Sequence, residues 1–162
     1  MPFLTVGLLI LLLDQWTKQA VRAEFIYGES RPVIDGFFHL VYVRNDGAAW
    51  NILSGHGIIL ILISAGVLVS LLVFRKHFLQ DRLSHHILLG LMIGGIAGNL
   101  IDRIRFGWVT DFLDFQFGSY HYPSFNVADS AICIAVVLYL VFNALEERAK
   151  KPAAGDGEGG AE

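Results

Sequence analysis

The sequence predicts a polytopic α-helical membrane protein, with four transmembrane helices and a small extramembrane β-sheet. Three observations carry this. The chain has 162 residues, of which 54% are hydrophobic and 17% charged, against roughly 25% charged in an ordinary soluble domain. Its mean hydropathy is +0.55. The apolar residues are gathered in long blocks rather than spread at the period of a soluble helix. The length suits one domain, read as residues 1–151 followed by a disordered Gly/Ala/acidic tail over 152–162.

The first span is expected over 2–21. Its uninterrupted apolar part stops at Leu13, and crossing a bilayer takes about 20 residues. Asp14, Gln15 and Lys18 therefore belong to the last turns of the same helix. That polar end is unlike the core of a signal peptide, so the segment reads as a retained membrane helix.

Residues 22–56 change character. Phe37 to Val43 is rich in aromatic and β-branched residues and follows an Asp35-Gly36 turn, which predicts a short sheet or hairpin outside the hydrocarbon. Further spans are expected over 57–74, 87–102 and 128–145. A polar hairpin at 75–82 joins the second and third. An aromatic-rich extramembrane excursion over 103–127 joins the third and fourth. Lys and Arg are dense in the short 75–82 and 146–151 segments and diluted elsewhere, which places both termini in the cytoplasm. Asp14, Lys18, Asn45, Asn99, Arg103, Asp111, Asn126 and Asp129 then all lie at or near the outer membrane face.

The third span carries Gly90, Gly94 and Gly98 on one ridge, where a neighbouring backbone can approach closely, and Gly95, Asn99 and Arg103 on a second. Asp14 and Lys18 stand i, i+4 and can pair, either as an interface anchor or as part of a site. Asn126 and Asp129 have the spacing of ordinary helix-start chemistry. Asp111, followed by Asp114, is either solvated at a loop surface or held in a site.

Several function classes drop out. The net charge is −3 and no basic patch is interleaved with aromatics, so nucleic acid is not implied. No Gly-x-Ser-x-Gly elbow, HExxH helix, phosphate loop or Cys/His cluster occurs. Cys133 reads as a small buried apolar residue, and the histidines as scattered polar ones, with His85 and His86 on the cytoplasmic side. What remains is carboxylates gathered on one membrane face, material for an acid/base pair. Two carboxylates in one site cannot both ionise cheaply, so one keeps a proton. Proton-coupled transport and a purely structural role are the rival readings; spans two and four, empty of charge below Asp129, argue against a transmembrane relay.

Five motifs in order then match a known family: Asp14-Gln-Trp-Thr-Lys18, Asn45-Asp-Gly-Ala-Ala49, Gly94-Gly-x-x-Gly-Asn99-x-x-Asp102-Arg103, Val109-Thr-Asp111-Phe112 and Phe125-Asn126-Val-Ala-Asp129-Ser130. The chain resembles the lipoprotein signal peptidases (signal peptidase II), bacterial membrane aspartic proteases. Trp50 stands where the family often has Phe.

The resemblance implies that Asp111 and Asp129 are a catalytic dyad. Asp14, Lys18, Asn45, Gly47, Asn99, Asp102, Arg103 and Asn126 are implied as residues that support the dyad or bind substrate. It also implies a β-sheet that cradles substrate, a periplasmic loop, and a site near the periplasmic face of the inner membrane. The implied reaction is removal of the signal peptide from a diacylglyceryl prolipoprotein, cutting before the lipidated cysteine. Globomycin is the implied inhibitor. The chain is expected to work as a monomer among membrane lipid, with no metal or organic cofactor.

Overall fold

The computed structural model describes residues 1–48, 52–78 and 83–150. The 152–162 tail expected to be disordered lies outside these residues, as do Ala49, Trp50 and the second half of the 75–82 hairpin.

Among the described residues, five helices and a four-stranded sheet make up the fold: α1 (Pro2–Glu24), β1 (Ser30–Ile34), β2 (Phe38–Asn45), α2 (Gly57–Val73), α3 (Arg75–Phe78), α4 (Leu83–Phe106), β3 (Val109–Phe117), β4 (Tyr120–His121) and α5 (Val127–Lys150). Leu83–Phe106 and Val127–Arg148 are long and apolar enough to cross a membrane. Gly57–Val73 is apolar but shorter. In α1, the polar residues after Leu13 dilute an otherwise apolar 23-residue helix.

The helix α4 is the centre, and its glycines decide what packs there. A Cβ on Gly90 would sit 2.7 Å from the Phe3 carbonyl oxygen, and one on Gly94 would sit 2.5 Å from that of Gly7. Gly98 faces the Asp14 carboxylate just as closely. A Cβ on Gly95 would sit 2.6 Å from the Ala128 carbonyl oxygen. The ridge 90/94/98 therefore seats α1, and the ridge through Gly95 seats α5. Absence of side chains lets these backbones come close enough for dispersion contacts along their whole length. At one end of the bundle Phe3, Leu71 and Leu89 tie α1, α2 and α4 together. At the other, Val21, Tyr42 and Phe112 join α1 to the sheet.

The sheet is antiparallel in the order β1-β2-β3-β4. Gly36, at φ +69°, makes the β1–β2 turn that Asp35-Gly36 predicts. Gly107, at φ +82°, closes α4 by donating its N–H to the Arg103 carbonyl at 3.0 Å, the usual role of a glycine just past a helix end. This turns the chain straight into β3.

Four boundaries differ from expectation. Continuous hydrogen bonding carries α4 from Leu83 to Phe106, so Arg103 sits in its last turn rather than in a loop. The end of α5 reaches Lys150. Within the 103–127 excursion runs the nine-residue strand β3, whose first four residues are buried. A strand covered on both faces has no alternating pattern to read. Partnering β2 along one side is β1, over 30–34, which also went unread.

Candidate active site

Two polar clusters meet where α1, α4 and α5 abut the sheet. The first is built on α1. Asp14 and Lys18 pair at 2.9 Å with both side chains fully buried, so the interface-anchor reading of this pair is wrong: α4 and α5 cover it. The ammonium also donates to Asn99 Oδ1 at 2.8 Å and lies 3.6 Å from Asp102 Oδ2. Asp14 Oδ1 accepts the Ala128 N–H at 3.0 Å, which satisfies a first-turn donor of α5 from another helix. Asp102 Oδ2 accepts the Thr110 N–H at 3.0 Å, fastening α4 to β3.

Three further residues belong to this cluster that the sequence reading did not single out. Gln15 Nε2 donates to Asp14 Oδ2, the Gly98 carbonyl and Asp102 Oδ1, at 3.1 to 3.2 Å. Arg22 donates to Thr110 Oγ1 at 2.8 Å and lies 3.5 Å from Asp102. Arg22 continues the 14/18 stripe at i+8, a signal available in the sequence. Thr110 offers no such signal, because only the turn at Gly107 brings it here.

The second cluster holds Asp111 and Asp129. Asp111 lies in β3, opposite Val43 of β2, and is buried. Its Oδ2 accepts from Asn45 Nδ2 at 2.9 Å and its Oδ1 from Asn126 Nδ2 at 2.7 Å. Asp129 lies in the first turn of α5. Its Oδ2 accepts the Asn126 N–H at 3.2 Å, while Asn126 Oδ1 accepts the Asp129 N–H at 3.0 Å. This is a reciprocal capping box. The helix-start reading of Asn126 and Asp129 is thus right, yet the same asparagine also reaches Asp111.

Asn99 links the clusters. Its Oδ1 takes the Lys18 ammonium, which can only donate, so its Nδ2 must turn to Asp129 Oδ1, at 2.7 Å. Arg103 Nη2 donates to the Gly47 carbonyl at 2.8 Å, and the Gly47 N–H bonds to Asn45 Oδ1 at 3.0 Å. Those two bonds hold the 45–48 segment over the site. All ten site residues expected from the sequence therefore fall into one connected network.

Burial in the first place, and the neighbouring Asp129 carboxylate in the second, push the Asp111 carboxyl up to about 7. The bonds from Asn45 and Asn126 oppose this only in part. Asp111 and Asp129 both face a cavity of about 870 Å³, walled by Phe115, Phe117 and Phe125. Cys133 also lines it and is exposed, contrary to the buried reading: one turn beyond Asp129, it shares the helix face that looks into the cavity. Asp114 is buried apart from the pair, taking Gln116 Nε2 at 2.8 Å and Ser124 Oγ at 3.2 Å. His85, on α4, is buried too. Among the described residues, no cluster of His, Cys, Asp and Glu is suited to a metal ion.

Fold and site together define a class: a helix bundle of membrane-compatible apolarity, carrying paired acids in a cavity beside a small sheet. The family model described as signal peptidase (SPase) II matches residues 6–145. The chain is similar to a lipoprotein signal peptidase of Syntrophus aciditrophicus, 45% identical over 92% of this chain and 95% of the relative. It is similar to one of Bacillus pumilus, 40% identical over 93% and 97%. A solved bacterial membrane enzyme structure, obtained by the in meso method at 2.3 Å resolution, superposes with a TM-score of 0.86 at 32% identity, covering 95% of this chain and 94% of that one. This chain belongs to the signal peptidase II family.

Proposed function

We propose that the chain is a multi-pass aspartic endopeptidase of the bacterial inner membrane, cutting diacylglyceryl prolipoproteins immediately before the lipidated cysteine. The observation that carries this is the shared cavity: Asp111 and Asp129 face one space, and Asn126 holds both. In this reading α1, α2, α4 and α5 are four spans, both termini are cytoplasmic, and the sheet end lies at the periplasmic face.

Asp111, with its carboxyl raised to about 7, carries the shared proton, and Asp129 is the ionised partner. Asp129 takes a proton from a water that attacks the scissile carbonyl carbon, while Asp111 donates to the carbonyl oxygen. When the tetrahedral intermediate collapses, the C–N bond breaks. The proton held by Asp129 passes to the leaving amine of the lipidated cysteine, and a hydroxyl of the intermediate returns its proton to Asp111 as the new carboxyl group forms. Asn99 and Asn126 keep the two carboxylates oriented. Arg103, with one N–H on Gly47, keeps other donors for a substrate carbonyl or lipid ester. The apolar faces beside the cavity let the diacyl chains stay in lipid.

The test is cleavage of a lipidated signal-peptide substrate by the purified protein in detergent, with and without globomycin. Expected are cleavage before the modified cysteine, inhibition by globomycin, and loss of turnover in Asp111→Asn and Asp129→Asn. Substantial turnover by either variant sinks the dyad assignment.

A further inference from the structure

We propose that the back of the sheet, between Arg44 and Arg105, binds the phosphodiester headgroup of an anionic phospholipid. The sheet end of the bundle carries Arg22, Arg31, Arg44, Arg103 and Arg105; two of them pair with protein carboxylates and Arg103 belongs to the site. Arg22 is taken by Thr110 and Asp102. Arg31 pairs with Glu29 at 2.7 Å and donates to the Glu24 carbonyl. Arg103 donates to the Gly47 carbonyl. Among the described residues, no carboxylate pairs with Arg44 or Arg105, and the hydrogen bond of Arg44 is from Nε to the Tyr42 hydroxyl, at 3.2 Å.

These two exposed arginines are nevertheless held in place. The Arg44 guanidinium lies 4.7 Å from the Tyr27 ring, 5.4 Å from Tyr42 and 4.7 Å from Trp108. Arg105 lies 5.2 Å from the Phe106 ring. The Trp108 and Phe106 rings are 6.0 Å apart, so an aromatic floor runs from one guanidinium to the other. A ring takes one face of a guanidinium and leaves the N–H edge pointing outward, the geometry that meets phosphate oxygens. Immobilising a long side chain costs rotamer freedom, and here no protein anion offsets that cost. Nearby acids Glu29 and Asp46 are already engaged, by Arg31 and by Ser54 with the Gly55 N–H.

The placement selects lipid. Arg105 ends α4, and Trp108 and Tyr27 stand just past the ends of α4 and α1, the level at which such rings meet lipid headgroups. Arg44 shares its sheet face with Tyr42, whereas Asn45 on the other face reaches Asp111. Arg44 also lines the cavity that Asp111 and Asp129 face, so this surface borders the cavity. Its assignment to lipid rests on the membrane reading of the fold.

The test uses the full-length protein in phosphatidylcholine nanodiscs with and without phosphatidylglycerol, reading retained lipid by native mass spectrometry. The wild type is expected to retain phosphatidylglycerol over phosphatidylcholine of the same acyl chains. Arg44→Gln and Arg105→Gln should each lower that preference about fivefold, and the double variant multiplicatively. Arg31→Gln should leave it unchanged. Among the described residues Arg105 makes no hydrogen bond, so its variant reports binding even if Arg44→Gln weakens the sheet. Equal retention of both lipids by the wild type, or an unaltered preference in the double variant, overturns the proposal. Displacement of the lipid by millimolar inorganic phosphate also overturns it, because the site would then be one for a soluble anion.

Discussion

The two acidic clusters of this protein sit side by side and are held in opposite ways. Asp14 and Asp102 are fully buried and face cations, Lys18 and Arg22. Asp111 and Asp129 open on a cavity, and neutral amides hold them: Asn45, Asn99 and Asn126. A buried carboxylate closed in beside a cation becomes a structural joint, because either partner left alone is buried without its bonds. A carboxylate held by amide N–H groups is oriented without a neutralising charge, so its proton can still come and go. The first cluster builds the wall, and the second is free to do chemistry. Asn99 belongs to both, passing the fixed orientation of Lys18 to Asp129.

The sharpest way to break this contrast is to remove one charged group from each cluster. Asp129→Asn should keep a folded protein and lower turnover by roughly 10²- to 10⁴-fold or more, measured with a lipidated peptide beside thermal unfolding in detergent. Lys18→Ala should do the reverse in emphasis, leaving Asp14 and Asp102 buried without their shared cation. A cost of about 3–5 kcal/mol is expected, seen as a large fall in Tm, with activity falling as Asn99 is released. If Lys18→Ala unfolds like the wild type, the first cluster is not a structural joint.

Gly95→Ala probes the contact between α4 and α5. Its new Cβ would press on the Ala128 carbonyl, one residue from Asp129, so α5 must shift. Overpacking of this kind costs about 1–3 kcal/mol, and turnover should fall more than Tm suggests.

The pH dependence separates the clusters further. The folded Asp111 carboxyl sits near 7, above its unfolded value of about 3.9. The stability linked to its protonated form is thus fully present below about pH 4 and is lost as pH rises through about 7. Asp111→Asn should abolish that loss in a Tm series across the same window. Turnover should show an alkaline limb near pH 7, as Asp111 gives up its proton. Asn45→Ala removes a bond that favours the charged form, so it should move that limb upward. A smaller effect again is expected for Asp114→Asn. Its carboxylate accepts from Gln116 and Ser124, away from the pair, and activity within about twofold of wild type is the expected result, on the ordinary scale of substitutions outside the reacting groups. A loss comparable to that of Asp129→Asn would overturn the separation of Asp114 from the pair.

Much of this was legible before any coordinates. The glycine ridges, the 14/18 pairing and the helix start at Asn126 follow from spacing, because helix periodicity turns sequence distance directly into a shared face; the ten candidate site residues came instead from the family resemblance. The strand β3 was not legible, since a segment buried on both faces carries no alternation and its two acids read as loop. Gln15 and Thr110 were missed for a related reason. Their partners lie on other elements: the Gln15 amide spans α1 and α4, and the Thr110 backbone answers Asp102 across the turn at Gly107.

By itself, then, the sequence determined the apolar helices, where each one turns polar, and which residue types are present to do chemistry. These are local properties, set by hydropathy, periodicity and caps. The tertiary structure alone decided that Asp14 and Lys18 would be sealed from solvent and that Cys133 would face a cavity. It also decided that a single asparagine would hold both Asp111 and Asp129. Those outcomes depend on how closely α1 and α5 approach α4, and that distance is set by missing side chains at Gly90, Gly94, Gly95 and Gly98 acting between helices, not within one.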